Sequence, residues 1–151
     1  MSLNQIIDKI PDYGKDIRLN LDTVLTTAGA PGLSENQIAG VALACAYAVL
    51  DKELSQNVES HFSSVDPSLV TAAKSAATIM GMNNIYYRFL HLSDDKEFSK
   101  MPAKLRMNVI GKPGVDKVDF ELMSLAVSAI SGCGMCINSH VAEVKKAGVS
   151  N

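Results

Sequence analysis

Cys133, Cys136 and His140 are the side chains of this sequence best suited to chemistry. They stand in the run Ser131-Gly132-Cys133-Gly134-Met135-Cys136-Ile137-Asn138-Ser139-His140: a Cys-x-x-Cys pair with an imidazole four residues further on. On a helix of about 100° per residue the three fall within an arc of roughly 60°, so one face carries them all. A pair spaced in this way closes and opens a disulfide without large backbone movement. The spacing predicts thiol redox chemistry.

Such chemistry needs thiolate. A free cysteine with a pKa of about 8.5 is only a few per cent ionised at pH 7, and lowering that value to about 6.5 makes thiolate the major form. A helix N-terminus supplies one cause. His140 supplies a second, because one turn after Cys136 it can accept the thiol proton or pair with the thiolate. Helix polarity alone favours Cys133 as the more acidic thiol, whereas the nearness of His140 favours Cys136. A third group must orient the imidazole, and Glu121 is the candidate. It lies in a segment whose other inward positions are apolar, where an unpartnered carboxylate is costly. Spacing alone equally allows Glu121 an exposed edge of its helix.

The blander assignments stand beside these. A Cys-x-x-Cys can be half of a zinc site, but structural zinc needs four ligands and only His140 accompanies the pair locally. Cys45 reads as a small core residue. His61 and His91 have no partner in reach by sequence and read as surface or capping residues. Met80 and Met82 read as core filler.

The elements that must position the dithiol all read as helices. Ile6 to Ile10 is a short one stopped by Pro11, and Lys15 to Ala28 a second, ended by Gly29 and Pro31. Ser34-Glu35-Asn36-Gln37 has the form of a capping box opening a helix to about Leu50. That helix is apolar nearly all round, so it must be buried on most sides. Ser55 to Phe62 follows; Asp66-Pro67 then starts a helix through Met80. Gly81 is expected to interrupt it, leaving Asn83 to Leu92 as a separate short helix. Lys104 to Ile110 is expected to form another. Asp116 caps a helix from Lys117 to about Ile130, Ser131-Gly132 breaks it, and the dithiol opens a last helix ending near Gly148. The long apolar helices at 35–50 and 117–130 each precede a more polar one, which hints at an internal two-helix duplication. Ser150-Asn151 has the look of a cap, which suggests a further C-terminal helix outside this sequence.

Composition bounds the whole. A chain of 151 residues, 47% hydrophobic, fits a single all-α domain over 1–151 with a substantial core. With 14 basic and 16 acidic residues and no basic block, nucleic acid is not an expected partner. Neither a secretory signal nor an apolar run of about 18 residues is present, so the expectation is a soluble, cytoplasmic protein without membrane contact. Three cysteines, an odd count, do not make a secreted disulfide framework.

Several blocks together resemble the alkyl hydroperoxide reductase D family, within the carboxymuconolactone decarboxylase-like superfamily. They are Met80-Gly81-Met82-Asn83-Asn84-Ile85-Tyr86-Tyr87-Arg88-Phe89, Phe120-Glu121-Leu122, Ala126-Val127-Ser128-Ala129-Ile130 and the Cys-x-x-Cys-x-x-x-His run. The Leu43-Ala44-Cys45-Ala46 helix fits as well, so the resemblance covers nearly the whole chain. It implies a helical protomer assembling as a homotrimer with a role in antioxidant defence. It implies that the dithiol reduces the disulfide of a partner peroxiredoxin of the alkyl hydroperoxide reductase C type, and weakly reduces alkyl hydroperoxides directly. The reductant it implies is a lipoyl group on a dihydrolipoamide acyltransferase; no bound cofactor or metal is implied. By position, Cys136 matches the cysteine that forms the sulfenic acid or the mixed disulfide. Cys133 matches the proton donor and resolving thiol, and Glu121 and His140 match the proton relay. Some family members carry a histidine where this chain has Met135, so a relay through that position is absent here. A lactone decarboxylase, which the superfamily also hosts, would not need two cysteines so placed. A small zinc-binding interaction module is the remaining alternative.

Overall fold

The computed structural model describes residues 3–150, and among these there is no strand. Leu3–Asp8 (α1) and Lys15–Val24 (α2) come first, joined through a 3-10 turn at Asp12–Gly14. The centre is built from Glu35–Ala48 (α3), Pro67–Leu92 (α5) and Lys117–Ser131 (α8). Lys52–His61 (α4) and Gly134–Lys146 (α9) flank them. Two single turns, Glu97–Lys100 (α6) and Asn108–Gly111 (α7), lie in the connection between α5 and α8.

The capping box is present. Gln37 N–H donates to Ser34 Oγ (3.2 Å) and Ser34 N–H to Gln37 Oε1 (3.0 Å), satisfying two amides that the first turn would otherwise leave open. The apolar helices pack on one another, with Leu43, Ala44, Ala72, Ala73, Ala76, Phe120, Met123 and Val127 in one core. Small residues on α3 and α5 let the axes approach closely. Polar bonds then set register, such as Gln37 Nε2 donating to Asp119 Oδ1 (2.8 Å) between α3 and α8.

Several expected boundaries are corrected. Gly81 does not interrupt its helix: α5 runs unbroken for 26 residues. A mid-helix glycine costs only up to about 1 kcal/mol, less than the helix gains by burying Leu69, Ala72, Ala73, Ala76 and Met80 in the core. The helix expected from Lys15 to Ala28 stops at Val24, where Thr26 Oγ1 bonds the Thr23 carbonyl (2.8 Å) and receives Gly29 N–H (3.1 Å). The Ser55 helix begins earlier, at Lys52, because Asp51 Oδ1 accepts Leu54 N–H (2.7 Å) and caps it. Lys104 to Ile110 yields only the turn at Asn108–Gly111: Lys104 is left-handed (φ 53°), and too little chain remains before Gly111 and Pro113 to pay for helix nucleation. The first helix is Leu3–Asp8 rather than Ile6 to Ile10. Asp116 occupies the N-cap of α8 but makes no side-chain cap bond.

The α3–α4 and α8–α9 pairs both turn through a left-handed residue, Leu50 and Gly132, followed by a capping residue. That likeness does not establish a duplication. Asn151 lies outside the described residues. No described helix is long and apolar enough to cross a membrane.

Candidate active site

The site is made where α8 turns into α9 against α5. Gly132 adopts a left-handed conformation (φ 66°) that reverses the chain after α8, a backbone angle that strains any side chain with a Cβ. Arg88 Nη1 on α5 donates to the Ser131 carbonyl (2.8 Å) and fastens this turn. Cys133 therefore falls at the N-cap of α9, one residue before the helix proper.

Cys133 and Cys136 are joined as a disulfide, with Cα atoms 5.3 Å apart. Cys136 N–H donates to Cys133 Sγ (3.3 Å), so one of the open amides of the α9 N-terminus points at that sulfur. Cys133 is wholly buried, whereas Cys136 keeps 6% exposure and lines a cleft of about 550 Å³. Met80, Asn83, Glu121 and His140 share that cleft, and Met135 stands at its mouth, 44% exposed. Cys136 Sγ lies 4.0 Å from the Asn83 carbonyl oxygen.

His140 and Glu121 come together on the inner faces of α9 and α8, with Nδ1 and Oε2 2.6 Å apart. Glu121 is 4% exposed and His140 7%, so the exposed-edge alternative for Glu121 does not hold. A buried carboxylate needs such a partner to offset its lost hydration. The second ring nitrogen, Nε2, faces the Met80 sulfur at 3.3 Å. In the disulfide form, then, the imidazole contacts Glu121 and Met80, with Cys136 one helical turn away on the same cleft.

The rim of the cleft is charged. Lys117 Nζ on α8 bonds Glu143 Oε2 on α9 (3.0 Å), and this bond raises the lysine above its usual range. The ammonium of Lys146 and then that of Lys117 hold the Glu143 carboxyl down at about 2. Among the described residues no cluster of three or more His, Cys, Asp or Glu is arranged to hold a metal ion.

The pattern of the carboxymuconolactone decarboxylase family matches residues 96–151. Over 144 residues the chain is 53% identical to alkyl hydroperoxide reductase AhpD of Coxiella burnetii, covering 95% of this chain and 81% of that one. AhpD of Brucella anthropi is 51% identical over 152 residues, covering all of this chain and 85% of its own length. AhpD of Rhodospirillum centenum is likewise 51% identical, over 151 residues and 80% of its length. The chain belongs to the alkyl hydroperoxide reductase AhpD family.

In this AhpD-family chain the remaining singled-out residues lie away from the cleft or play unforeseen parts. Cys45 is half-buried rather than core. It lines a separate apolar cavity of about 460 Å³ between α1, α2, α3 and α4, and burial pushes its thiol up. His61 and His91 are exposed at the ends of α4 and α5. Met80 is buried as expected, but as a neighbour of the imidazole rather than filler alone. Asn83, Asn84 and Ser128 were not foreseen as site residues. The break expected at Gly81 hides them, since it cuts Met80 from Asn83 and Asn84; one unbroken helix puts all three on the face toward α8.

Proposed function

We propose that this protein is an antioxidant thiol–disulfide oxidoreductase, in which the Cys133–Cys136 dithiol passes electrons from a lipoyl reductant to peroxide-derived oxidants. The observation that carries this reading is the bonded pair opening onto a cleft shared with the buried Glu121–His140 pair. Membership of a family named for alkyl hydroperoxide reductase supports it.

Cys136 is the sulfur that meets the substrate, because it lines the cleft and Cys133 does not. Toward a peroxiredoxin disulfide, the Cys136 thiolate attacks one partner sulfur and forms a mixed disulfide while the other leaves as thiolate. Cys133 then attacks Cys136 Sγ, the partner departs reduced, and the intramolecular disulfide closes. Toward an alkyl hydroperoxide, Cys136 takes the terminal oxygen as sulfenic acid while the O–O bond breaks. The alkoxide takes a proton from His140, and Cys133 displaces water. In the reductive half, a dihydrolipoyl thiolate attacks Cys136 and Cys133 leaves as thiolate. The Cys136 amide, already aimed at Cys133 Sγ, stabilises that leaving group. The second lipoyl thiol attacks the lipoyl sulfur of the mixed disulfide, and Cys136 is released.

The physiological reductant in this account is a lipoylated dihydrolipoamide acyltransferase, and the oxidised partner is a peroxiredoxin of the AhpC type. The working assembly is a homotrimer, supported by large exposed apolar side chains such as Ile85 and Leu92 on α5. A coupled assay with dihydrolipoamide and an alkyl hydroperoxide, with and without a peroxiredoxin, tests the reading. Turnover that rises sharply with the peroxiredoxin is expected, and no turnover in either arm contradicts it.

The family match over residues 96–151 favours lactone decarboxylation as the second reading. It makes no use of the dithiol. Decarboxylation of a carboxymuconolactone that survives replacement of both cysteines would establish it.

A further inference from the structure

Behind the dithiol lies a line of buried polar atoms that thiol chemistry alone does not require. Met80, on α5 and 1% exposed, presents its sulfur 3.3 Å from His140 Nε2 and 3.6 Å from Ser128 Oγ. The hydroxyl of Ser128 has a better acceptor, Asn84 Oδ1 at 3.0 Å, and Asn84 Nδ2 in turn donates to the Val127 carbonyl (3.4 Å). A hydroxyl has one proton to give and an amide oxygen outcompetes a thioether for it. The lone pairs of Met80 are thereby left for Nε2–H. With a proton on Nε2, the ring is held at both nitrogens, by Glu121 at Nδ1 and by Met80 at Nε2.

We propose that Met80 is a positioning residue for His140: its thioether holds the Nε2 proton while the disulfide is closed and gives it up to Cys136 when the disulfide opens. The proposal rests on the role assigned above to His140 and deepens it. A thioether suits the task because it is a weak acceptor. It is strong enough to orient an imidazole in a buried site and too weak to compete with a thiolate. Cys136 lies one turn from His140 on α9 and lines the same cleft, so the two side chains share one face of the helix. When the reductant releases Cys136 as a thiolate, Nε2–H passes from one sulfur to the other, and no covalent bond to Met80 forms or breaks. Leucine would fill the same volume without the acceptor, and glutamine would hold Nε2 too firmly to release it.

The test compares Met80→Leu and Met80→Gln with the unaltered protein, all reduced. Alkylation of Cys136 by iodoacetamide is followed across pH by peptide mass spectrometry. Met80→Gln is expected to alkylate Cys136 more slowly at pH 7, by about tenfold for each unit lost in thiol acidity, whereas Met80→Leu, with no acceptor competing for Nε2–H, alkylates at least as fast as the parent. Helix content by circular dichroism stays that of the parent. Nitrogen-15 spectra of the unaltered protein provide a measurement that does not depend on a variant folding. They are expected to show a protonated Nε2 in the disulfide form whose shift moves on reduction. An Nε2 without a proton, or one unmoved by reduction, overturns the proposal. So does a pH profile unchanged in both variants. His140→Phe in the same assay separates the two levels: slow alkylation there with normal alkylation in the Met80 variants removes Met80 alone. Normal alkylation in His140→Phe removes the relay on which the proposal rests.

Discussion

At the residue scale, each sulfur has a different environment and so a different task. Cys133 is buried and holds an amide of the α9 N-terminus; Cys136 opens to the cleft near the imidazole. Replacing either with serine is expected to abolish lipoamide-dependent peroxide turnover, because one thiol cannot close the disulfide alone. Substantial residual turnover in either variant, measured by peroxide consumption, would contradict the assignment. Glu121→Ala leaves the buried Nδ1 of His140 without its partner, 2.6 Å away in the parent. The expected loss is about 1–3 kcal/mol of stability, read from urea unfolding. Cys133, Cys136 and His140 were legible because their spacing is local and their chemistry uncommon. Met80 was not, since a thioether that touches an imidazole has the same sequence signature as one that fills a core.

At the element scale, the signals that survived were those a short window contains in full. The Ser34–Gln37 box and the Asp66-Pro67 start both appear as read, with Asp66 Oδ1 accepting Ser68 N–H (2.7 Å). Gly81 misled, because a glycine's local cost is small beside the packing of a long helix on its neighbours. It lies exposed on α5 with open space where a Cβ would stand. Gly81→Ala is therefore expected to stabilise the protein by about 0.5–1 kcal/mol, seen as a raised melting temperature. The ion pairs of Glu143, first with Lys146 on its own helix and then with Lys117 on α8, have a pH signature. The Glu143 carboxyl is held at about 2, below its ordinary 4.5. A depressed acid adds stability that is complete above its unfolded value and disappears as pH falls through the folded one. The contribution of Glu143 is thus expected to fade between about pH 4.5 and 2. Carbon-13 titration of its carboxyl should give a midpoint near the lower figure, and a midpoint near the ordinary value would remove both ion pairs.

At the scale of the whole molecule, helical class followed from composition and periodicity, since apolar segments such as 35–50 have no alternating pattern to offer a sheet. How α5, α8 and α9 converge did not follow: three segments distant in sequence meet at one cleft, and periodicity carries no information about which helices become neighbours. Assembly is equally remote from the local pattern. Light scattering at micromolar concentration is expected to give the mass of three chains, and a mass near 16.1 kDa would contradict the trimer.

The most direct test counts thiols. The chain has three cysteines, two of them bonded in the oxidised form, so a denaturing thiol titration should begin at one per chain. Dihydrolipoamide should raise the count to three, and an oxidised peroxiredoxin or an alkyl hydroperoxide should return it to one. A count that dihydrolipoamide leaves at one, or that the oxidant leaves at three, would contradict the account.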